Sequence, residues 1–262
     1  MDFDLKDKVA LVTASTSGIG FAIAKALAQE GASVYINGRS TEKVQAAIEK
    51  IKSIKGKLFP APFDLTDKAG ADKLIKVLPV VDILINNLGI YEVKNFEDIT
   101  DEDWLQIFNV NVISGIRLCR HYFPRMKAKN WGRIIFISSE SAVNIPTEMI
   151  HYGMTKTAQL AIARGLAEMT KGTGVTVNSI LPGPTRSDGV EKFVADIAKT
   201  KNITPQQVED DFFKTVRPNS LIQRFATIDE VGALAAFVCS QHGAVINGAP
   251  LRVEGGVIRS IL

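Results

Sequence analysis

Lys8-Val9-Ala10-Leu11-Val12-Thr13-Ala14-Ser15-Thr16-Ser17-Gly18-Ile19-Gly20 is the stretch on which the fold turns. Its first six residues are an apolar run rich in β-formers, too compact for a helix. A turn of small residues follows. From Phe21 to Gln29 the chain is Ala-rich and periodic, which predicts a helix. Strand, small-residue turn and helix make a βα unit. The N–H groups of its turn and of its helix N-terminus face an anion, the arrangement that holds nucleotide phosphates. Gly18-x-Gly20 alone would be an ordinary glycine turn; its place straight after the first strand gives it weight.

The same alternation continues downstream. Residues 32–37, 57–63, 80–85, 132–137, 175–181 and 250–253 read as further strands. Helices are predicted over residues 42–53 (with Thr41 as cap), 69–77, 101–127, 152–171 and 229–240. No linker or repeat divides the chain. Strands alternating with helices predict one α/β domain over residues 1–262. Its seven-stranded parallel sheet is doubly wound, with helices on both faces and right-handed crossovers. Residues 186–225 differ in character, being polar with helical pieces near 190–199 and 205–215, and are the candidate substrate lid.

Composition narrows the class. The chain has 262 residues, 46% of them apolar, enough for one sizeable core. With 31 basic and 28 acidic residues the net charge is +3, near balance, so neither nucleic acid nor a membrane surface is an expected partner. Cys119 and Cys239 lie in apolar helical patterns and read as free buried thiols of a reducing compartment. The start Met1-Asp2-Phe3-Asp4 has no basic region typical of a secretory leader, and no apolar run reaches the ~18 residues of a membrane span. The expectation is a soluble cytoplasmic protein.

Tyr152-Gly153-Met154-Thr155-Lys156 carries the chemistry. A Tyr four residues before a Lys shares a helix face with it, about 6 Å away along the axis. Alone, the pair is ordinary surface packing. Residues 132–137, however, read as a buried strand ending in Ser138-Ser139, thirteen residues ahead of the Tyr. A phenol, an ammonium and a hydroxyl then converge at one strand end: a proton donor, a group that lowers its pKa and a holder for a carbonyl oxygen. Asn109 and Asn111 interrupt an apolar helical stretch, where an amide costs desolvation unless it finds a partner. Asn86 and Asn87 end the fourth strand and can tie neighbouring backbones together. The second strand ends in Gly38-Arg39, with no carboxylate for a ribose 2′-OH and a guanidinium suited to a 2′-phosphate.

Taken together, these residues resemble the short-chain dehydrogenase/reductase family over essentially the whole chain. The ordered matches are Thr13-x-x-x-x-Gly18-Ile19-Gly20, Asp64, Asn86-Asn87-x-Gly89, Asn111, Ser139, Tyr152-x-x-x-Lys156 and Pro182-Gly183. The resemblance implies a Rossmann-type fold and NAD(P)-dependent interconversion of a ketone and a secondary alcohol. It implies a dinucleotide held along Ser15, Ser17, Gly18, Ile19 and Gly20, with Arg39, Asp64 and Leu65 near the adenosine. Asn87 and Gly89 would line the adenine ribose side, and Pro182, Gly183 and Thr185 would meet the nicotinamide. Tyr152 would act as acid, Lys156 would lower its pKa and hold the nicotinamide ribose, Ser139 would bond the substrate oxygen, and Asn111 would anchor a water leading from Lys156 to solvent. NADP(H) is the preferred cofactor on the strength of Gly38-Arg39, with NAD(H) usable. A small carbonyl or alcohol substrate, no metal, and a homotetramer complete the expectation. Three positions depart from the family pattern: Ala14 for a turn glycine, Leu88 in Asn-Asn-Ala-Gly, and Glu254 for Asp before Gly255-Gly256. Two alternatives are a 3-oxoacyl-carrier-protein reductase docking through Arg125, Lys127, Lys129 and Lys171, and a dinucleotide-sensing protein without turnover.

Overall fold

The computed structural model of the protein describes residues 3–261. Met1 and Asp2, half of the stretch read above for a leader, lie outside them, as does Leu262. Nine strands form among the described residues: β1 (Val9–Val12), β2 (Ser33–Gly38), β3 (Leu58–Pro62), β4 (Ile83–Asn86), β5 (Gly132–Ile137), β6 (Val175–Pro182), β7 (Thr185–Arg186), β8 (Ala226–Thr227) and β9 (Pro250–Val253). Seven lie side by side in the order β3-β2-β1-β4-β5-β6-β9, every neighbouring pair parallel. The doubly wound, Rossmann-type sheet expected from the sequence is the observed one. The short β7 and β8 pair only with each other.

Helices α1 (Gly18–Gln29), α2 (Thr41–Lys50), α3 (Lys68–Val77), α4 (Asp101–Phe108), α5 (Ser114–Lys129), α6 (Ile150–Glu168), α7 (Asp188–Lys201), α8 (Pro205–Thr215) and α9 (Ile228–Cys239) fill the crossovers. Successive strand residues point to opposite faces, so each strand feeds two cores. Ala10, Val12, Ile135 and Ile137 join α1, α2 and α9 on one face. Leu11, Ile134 and Phe136 join α3, α5 and α6 on the other. This is why the strands read as continuous apolar runs rather than alternating ones. Gly232 in α9 has a packing reason: a Cβ there would lie 2.8 Å from the Ala22 carbonyl oxygen of α1. Cys119 and Cys239 are free and buried, and burial pushes both thiols up to about 12.

Two local expectations need correction. The helix predicted over 101–127 is not continuous. A π-helical turn, Asn109–Ile113, separates α4 from α5. The amides of the turn are drawn to partners outside the helix, and its backbone widens to present them. Asn109 Nδ2 donates to the Thr66 carbonyl at 3.0 Å, and Asn111 is held between Ile90 and Thr155. The cap of α2 is Ser40 rather than Thr41, its side chain accepting from the Lys43 N–H. Among the described residues no helix is long and apolar enough to cross a membrane.

The sheet order reverses between β1 and β4, which opens a crevice at the carboxyl ends of the strands. Thr13, Asn87, Ser138 and Gly183 each stand just past the end of β1, β4, β5 or β6. Every sequence-predicted catalytic residue lies on, or packed against, that edge.

Candidate active site

The turn after β1 is held by β2 and β4. The Asn37 Oδ1 accepts from the Ala14 N–H at 3.1 Å, and the Asn37 N–H donates to Ser15 Oγ at 2.9 Å. Asn87 Nδ2 donates to the carbonyls of Thr13 and Ala14. These bonds offset the strain of Ala14, which has φ +50° where the family pattern has glycine; a non-glycine there costs about 1–2 kcal/mol. Gly20 is required by close approach, since a Cβ on it would sit 2.4 Å from Asn87 Nδ2. Ser15 is fully buried and its hydroxyl is spent on the Val12 carbonyl, so it shapes the turn. Ser17 is the N-cap of α1, yet its side chain makes no capping bond, which leaves the first N–H groups of a 12-residue helix facing outward.

Arg39 is exposed at the end of β2 and close enough to Asp64 for its charge to help hold that carboxyl below the ordinary range. Burial pulls Asp64 the other way, while the Thr66 N–H and hydroxyl, at 3.0 and 2.7 Å, favour its ionised form. The Leu65 side chain is buried in the core under α3.

Asn111, carried by the π turn, is 2% exposed. Its Oδ1 accepts from the Ile90 N–H at 2.8 Å, and its Nδ2 donates to the Ile90 carbonyl and to Thr155 Oγ1. It thus ties the loop after β4 to α6. Gly89 lies between: a Cβ there would be 3.4 Å from Asn111 Oδ1 and 3.5 Å from Lys156 Nζ. The absence of a side chain at Gly89 leaves the ammonium approachable from the crevice.

Ser138 and α6 are joined directly, Ser138 Oγ donating to the Lys156 carbonyl at 2.8 Å. Thr157 Oγ1 donates to the Ala142 carbonyl at 2.8 Å, a second cross-link between α6 and the loop after β5. Ser139 Oγ accepts from the Ser141 N–H at 3.1 Å and lies close enough to the Tyr152 phenol to favour its ionised form. Burial pushes that phenol up to about 12; the Ser139 hydroxyl opposes the rise, the neighbouring Glu140 adds to it, and the lowering by Lys156 expected from the sequence is not found. Lys156 is 5% exposed, and burial lowers its ammonium to about 8. Its Nζ lies 5.5 Å from the Tyr152 ring centroid and donates to the Ile137 carbonyl at 2.9 Å and to Gln159 Oε1 at 3.4 Å. Gln159 Nε2 in turn donates to the Asn111 carbonyl at 2.7 Å. A side-chain amide therefore bridges Lys156 to Asn111, the residue at which the sequence reading placed a water.

Gly183 follows β6, its N–H donating to the Val253 carbonyl, and its own carbonyl accepts from Thr185 Oγ1 at 2.9 Å. Glu254, the third departure from the family pattern, is buried and accepts from the N–H groups of Val257 and Ile258, so it closes the adjacent turn as the shorter Asp would. A cavity of about 420 Å³ opens in front of Ser139 and Tyr152, bounded by Gly183 and Thr185 on one side and by α7 and α8 on the other. Between β7 and β8 those two helices pack a small core of their own, Val194, Ala198, Val208, Phe213 and Phe225. Arg217, just past α8, reaches Glu140 next to Ser139, its Nε donating to Oε1 at 3.1 Å.

The structure thus gathers Ser139, Tyr152, Lys156 and Asn111, with Gly89 beside the last two. It keeps the turn residues and Arg39 at the far end of the crevice. Sequence reasoning passed over Gln159 and Arg217. Gln159 was visible as a polar residue one turn beyond Lys156; nothing near Arg217 in the chain points to Glu140.

Comparison with known proteins agrees. A short chain dehydrogenase family profile matches residues 8–198. YvaG, an uncharacterized oxidoreductase of Bacillus subtilis, is 47% identical over 263 residues, covering 100% of both chains. A D-beta-hydroxybutyrate dehydrogenase of Rhizobium meliloti is 33% identical over 95% of this chain and 98% of its own. The solved structure of L-sorbose reductase from Gluconobacter frateurii, complexed with NADPH and L-sorbose, matches with a TM-score of 0.93 at 26% identity over 100% of both chains. With the strand-end serine, tyrosine and lysine in place, the chain belongs to the short-chain dehydrogenase/reductase family.

Proposed function

We propose that the protein is an NADP(H)-dependent oxidoreductase that moves a hydride between the nicotinamide and a ketone or secondary alcohol. The observation that carries this is the presence of Ser139 and Tyr152 on one cavity wall, with the buried Lys156 behind them, its Nζ 5.5 Å from the Tyr152 ring centroid. The donor set suits a dinucleotide: the uncapped N-terminus of α1 and the Ser17 hydroxyl for phosphate, exposed Arg39 for a 2′-phosphate, and the gap at Gly89 that leaves Lys156 approachable for a ribose hydroxyl. Asp64 and the backbone at Leu65 and Asn87 would meet the adenosine; Ile19, Pro182, Gly183 and Thr185 would border the nicotinamide. The cofactor supplies the hydride. The chain supplies the proton and the grip on oxygen. A phenol raised to about 12 is fully protonated at neutral pH, the state an acid needs for reduction. The Ser139 hydroxyl shares its hydrogen bond between phenol and substrate oxygen as charge develops there. Lys156, at about 8, is poised to gain and lose a proton near neutrality and so to resupply the site.

Residues 186–225 would cover the substrate, and a cytoplasmic homotetramer pairing α4–α5 and α6 with their symmetry mates is the assembly we infer. Leu105 on α4, 70% exposed, is consistent with such a contact; light scattering at micromolar concentration checks it. For the acyl-carrier alternative, Lys129 is paired with Asp82, Arg125 bonds the His121 carbonyl and Lys127 lies over Phe123, while Lys171 is exposed.

The test is NADPH oxidation with a panel of ketones by the wild type and Tyr152→Phe. The variant should lose about 10²–10⁴-fold in turnover while NADPH binding, read by nucleotide fluorescence, is nearly intact. A variant keeping more than about a tenth of wild-type turnover would show another acid at work, and cofactor binding without turnover by the wild type would favour the sensing alternative.

A further inference from the structure

The reading of the protein as a ketone reductase leaves its substrate class open, and the charges in the cavity wall narrow it. Among the described residues lining the cavity one is cationic, Arg217, and two are carboxylic, Glu140 and Glu148. Arg217 is already committed. Its Nε holds Glu140 Oε1, and its NH1 donates to the Val216 carbonyl at 3.0 Å. The pair is shielded, with side chains 13% and 4% exposed. Burial raises the Glu140 carboxyl and Arg217 opposes that rise, so guanidinium and carboxylate are bound to each other's charge rather than to a ligand's. Glu148, half-buried, adds a second carboxylic side chain with no cation of the wall beside it. Much of the remaining surface is apolar, built by Val93, Phe193, Phe212 and Phe225.

A carboxylate entering this space would meet no uncommitted cation. It would shed water without a partner and face Glu148, and an unpaired charge in such a site is strongly disfavoured. A polyol would lose hydrogen bonds to water and regain few from an aromatic wall. A neutral ketone with an apolar body sheds only the water on its carbonyl oxygen, and that oxygen regains partners at Ser139 and Tyr152. Resting on the reductase reading above, we infer that the cavity selects neutral ketones with an apolar body and rejects oxo acids, with the Glu140–Arg217 pair as the element that neutralises the one cation of the wall. In this the protein would part from the hydroxybutyrate dehydrogenase that it resembles in sequence.

The experiment uses a pair of substrates that differ by one ester methyl, which removes the charge: acetoacetate and methyl acetoacetate, each reduced with NADPH by the wild-type protein, alongside 2-tetralone and L-sorbose. The ester should exceed the acid about a hundredfold in kcat/KM, and the tetralone should exceed the sugar. Acetoacetate at parity with its ester, or L-sorbose as the best of the four, overturns the inference while leaving a working reductase. Reduction of none of the four overturns the reductase reading together with it. Glu140→Gln should then free the Arg217 charge and narrow the ester-to-acid ratio at least about tenfold; an unchanged ratio in a folded variant overturns the role given to the ion pair. The wild-type comparison decides the substrate class whether or not that variant folds.

Discussion

Two regions border the cavity, and they are held in opposite ways. At the carboxyl ends of β1, β4 and β5 the polar side chains are fixed by backbone from other elements: Asn87 by Thr13 and Ala14, Ser138 by Lys156, Asn111 by Ile90. Between β7 and β8 the side chains are fixed mostly by one another. The rings of Phe212, Phe213 and Phe225 sit 5.1 Å apart, and Arg186 pairs with Glu209, which also accepts from the Phe225 N–H. This second region touches the first through few polar bonds, chiefly Arg217 to Glu140 and the N–H groups of Leu221 and Ile222 to the Gly255 carbonyl. A frame cross-linked by its neighbours holds reacting groups in fixed geometry before any ligand arrives. A segment carrying its own core can shift as a unit, keeping its packing while it moves.

The largest effect that would break this comparison is expected from Phe213→Ala. Phe213 is 1% exposed, and removing a buried ring costs about 3–5 kcal/mol. If the segment is a separate unit, that cost falls on it alone. Ketone reduction should drop about a hundredfold in kcat/KM, while the main thermal transition moves by less than about 2 °C. Ile134→Ala in β5, at a residue with no exposure, should instead lower the main transition by several degrees. Equal shifts of that transition by both variants, followed by calorimetry, would mean the two regions share one cooperative core.

Next in size is Arg39→Ala, which probes the frame's far end. Its guanidinium stands where no carboxylate would repel a 2′-phosphate, and a charge-assisted hydrogen bond is worth about a 10- to 100-fold preference. The Michaelis constant for NADPH should rise by that factor and that for NADH should barely change. Equal loss with both cofactors would make Arg39 a structural partner of Asp64 instead.

The contrast between the regions also explains what could be read from the chain. Strands buried on both faces are compact apolar runs bounded by Gly, Asn and Ser, so the seven parallel strands and the residues just past each strand end were legible. The π turn was not, because the apolar stripe from Trp104 to Phe123 runs through it with little change of period; Asn109 and Asn111 were the trace it left. The helices of the second region were legible within a few residues as the pieces near 190–199 and 205–215, and their caps, Ser187 and Thr204, came only with the structure. What they do at the site was not legible. Glu140 and Arg217 lie 77 residues apart, and no local pattern announces an ion pair made across the cavity. The direction of the Lys156 ammonium, toward Ile137 and Gln159, likewise depends on where α6 docks.

The smallest expected effect sharpens the account of the frame itself, and it concerns Gln159. This residue is 1% exposed and spans from Lys156 to the Asn111 carbonyl, 48 residues back along the chain. If the bridge merely fills space, replacing it should cost stability and leave the chemistry alone. If it positions Lys156, it should also set the pH at which the ammonium loses its proton, because an acceptor on a buried cation favours the charged form. Lys156 already sits at about 8, lowered by burial. Gln159→Leu removes the acceptor at similar volume, so the proton should be lost earlier and the alkaline limb of kcat/KM for reduction should move down by about half a unit. Gln159→Glu places an anion beside the ammonium and should move the same limb up, by about one unit or more. Opposite shifts from two substitutions at one site cannot come from lost packing, which would depress both profiles without displacing them. Profiles lowered but unmoved in both variants would leave Gln159 a core residue with no part in holding the Lys156 proton.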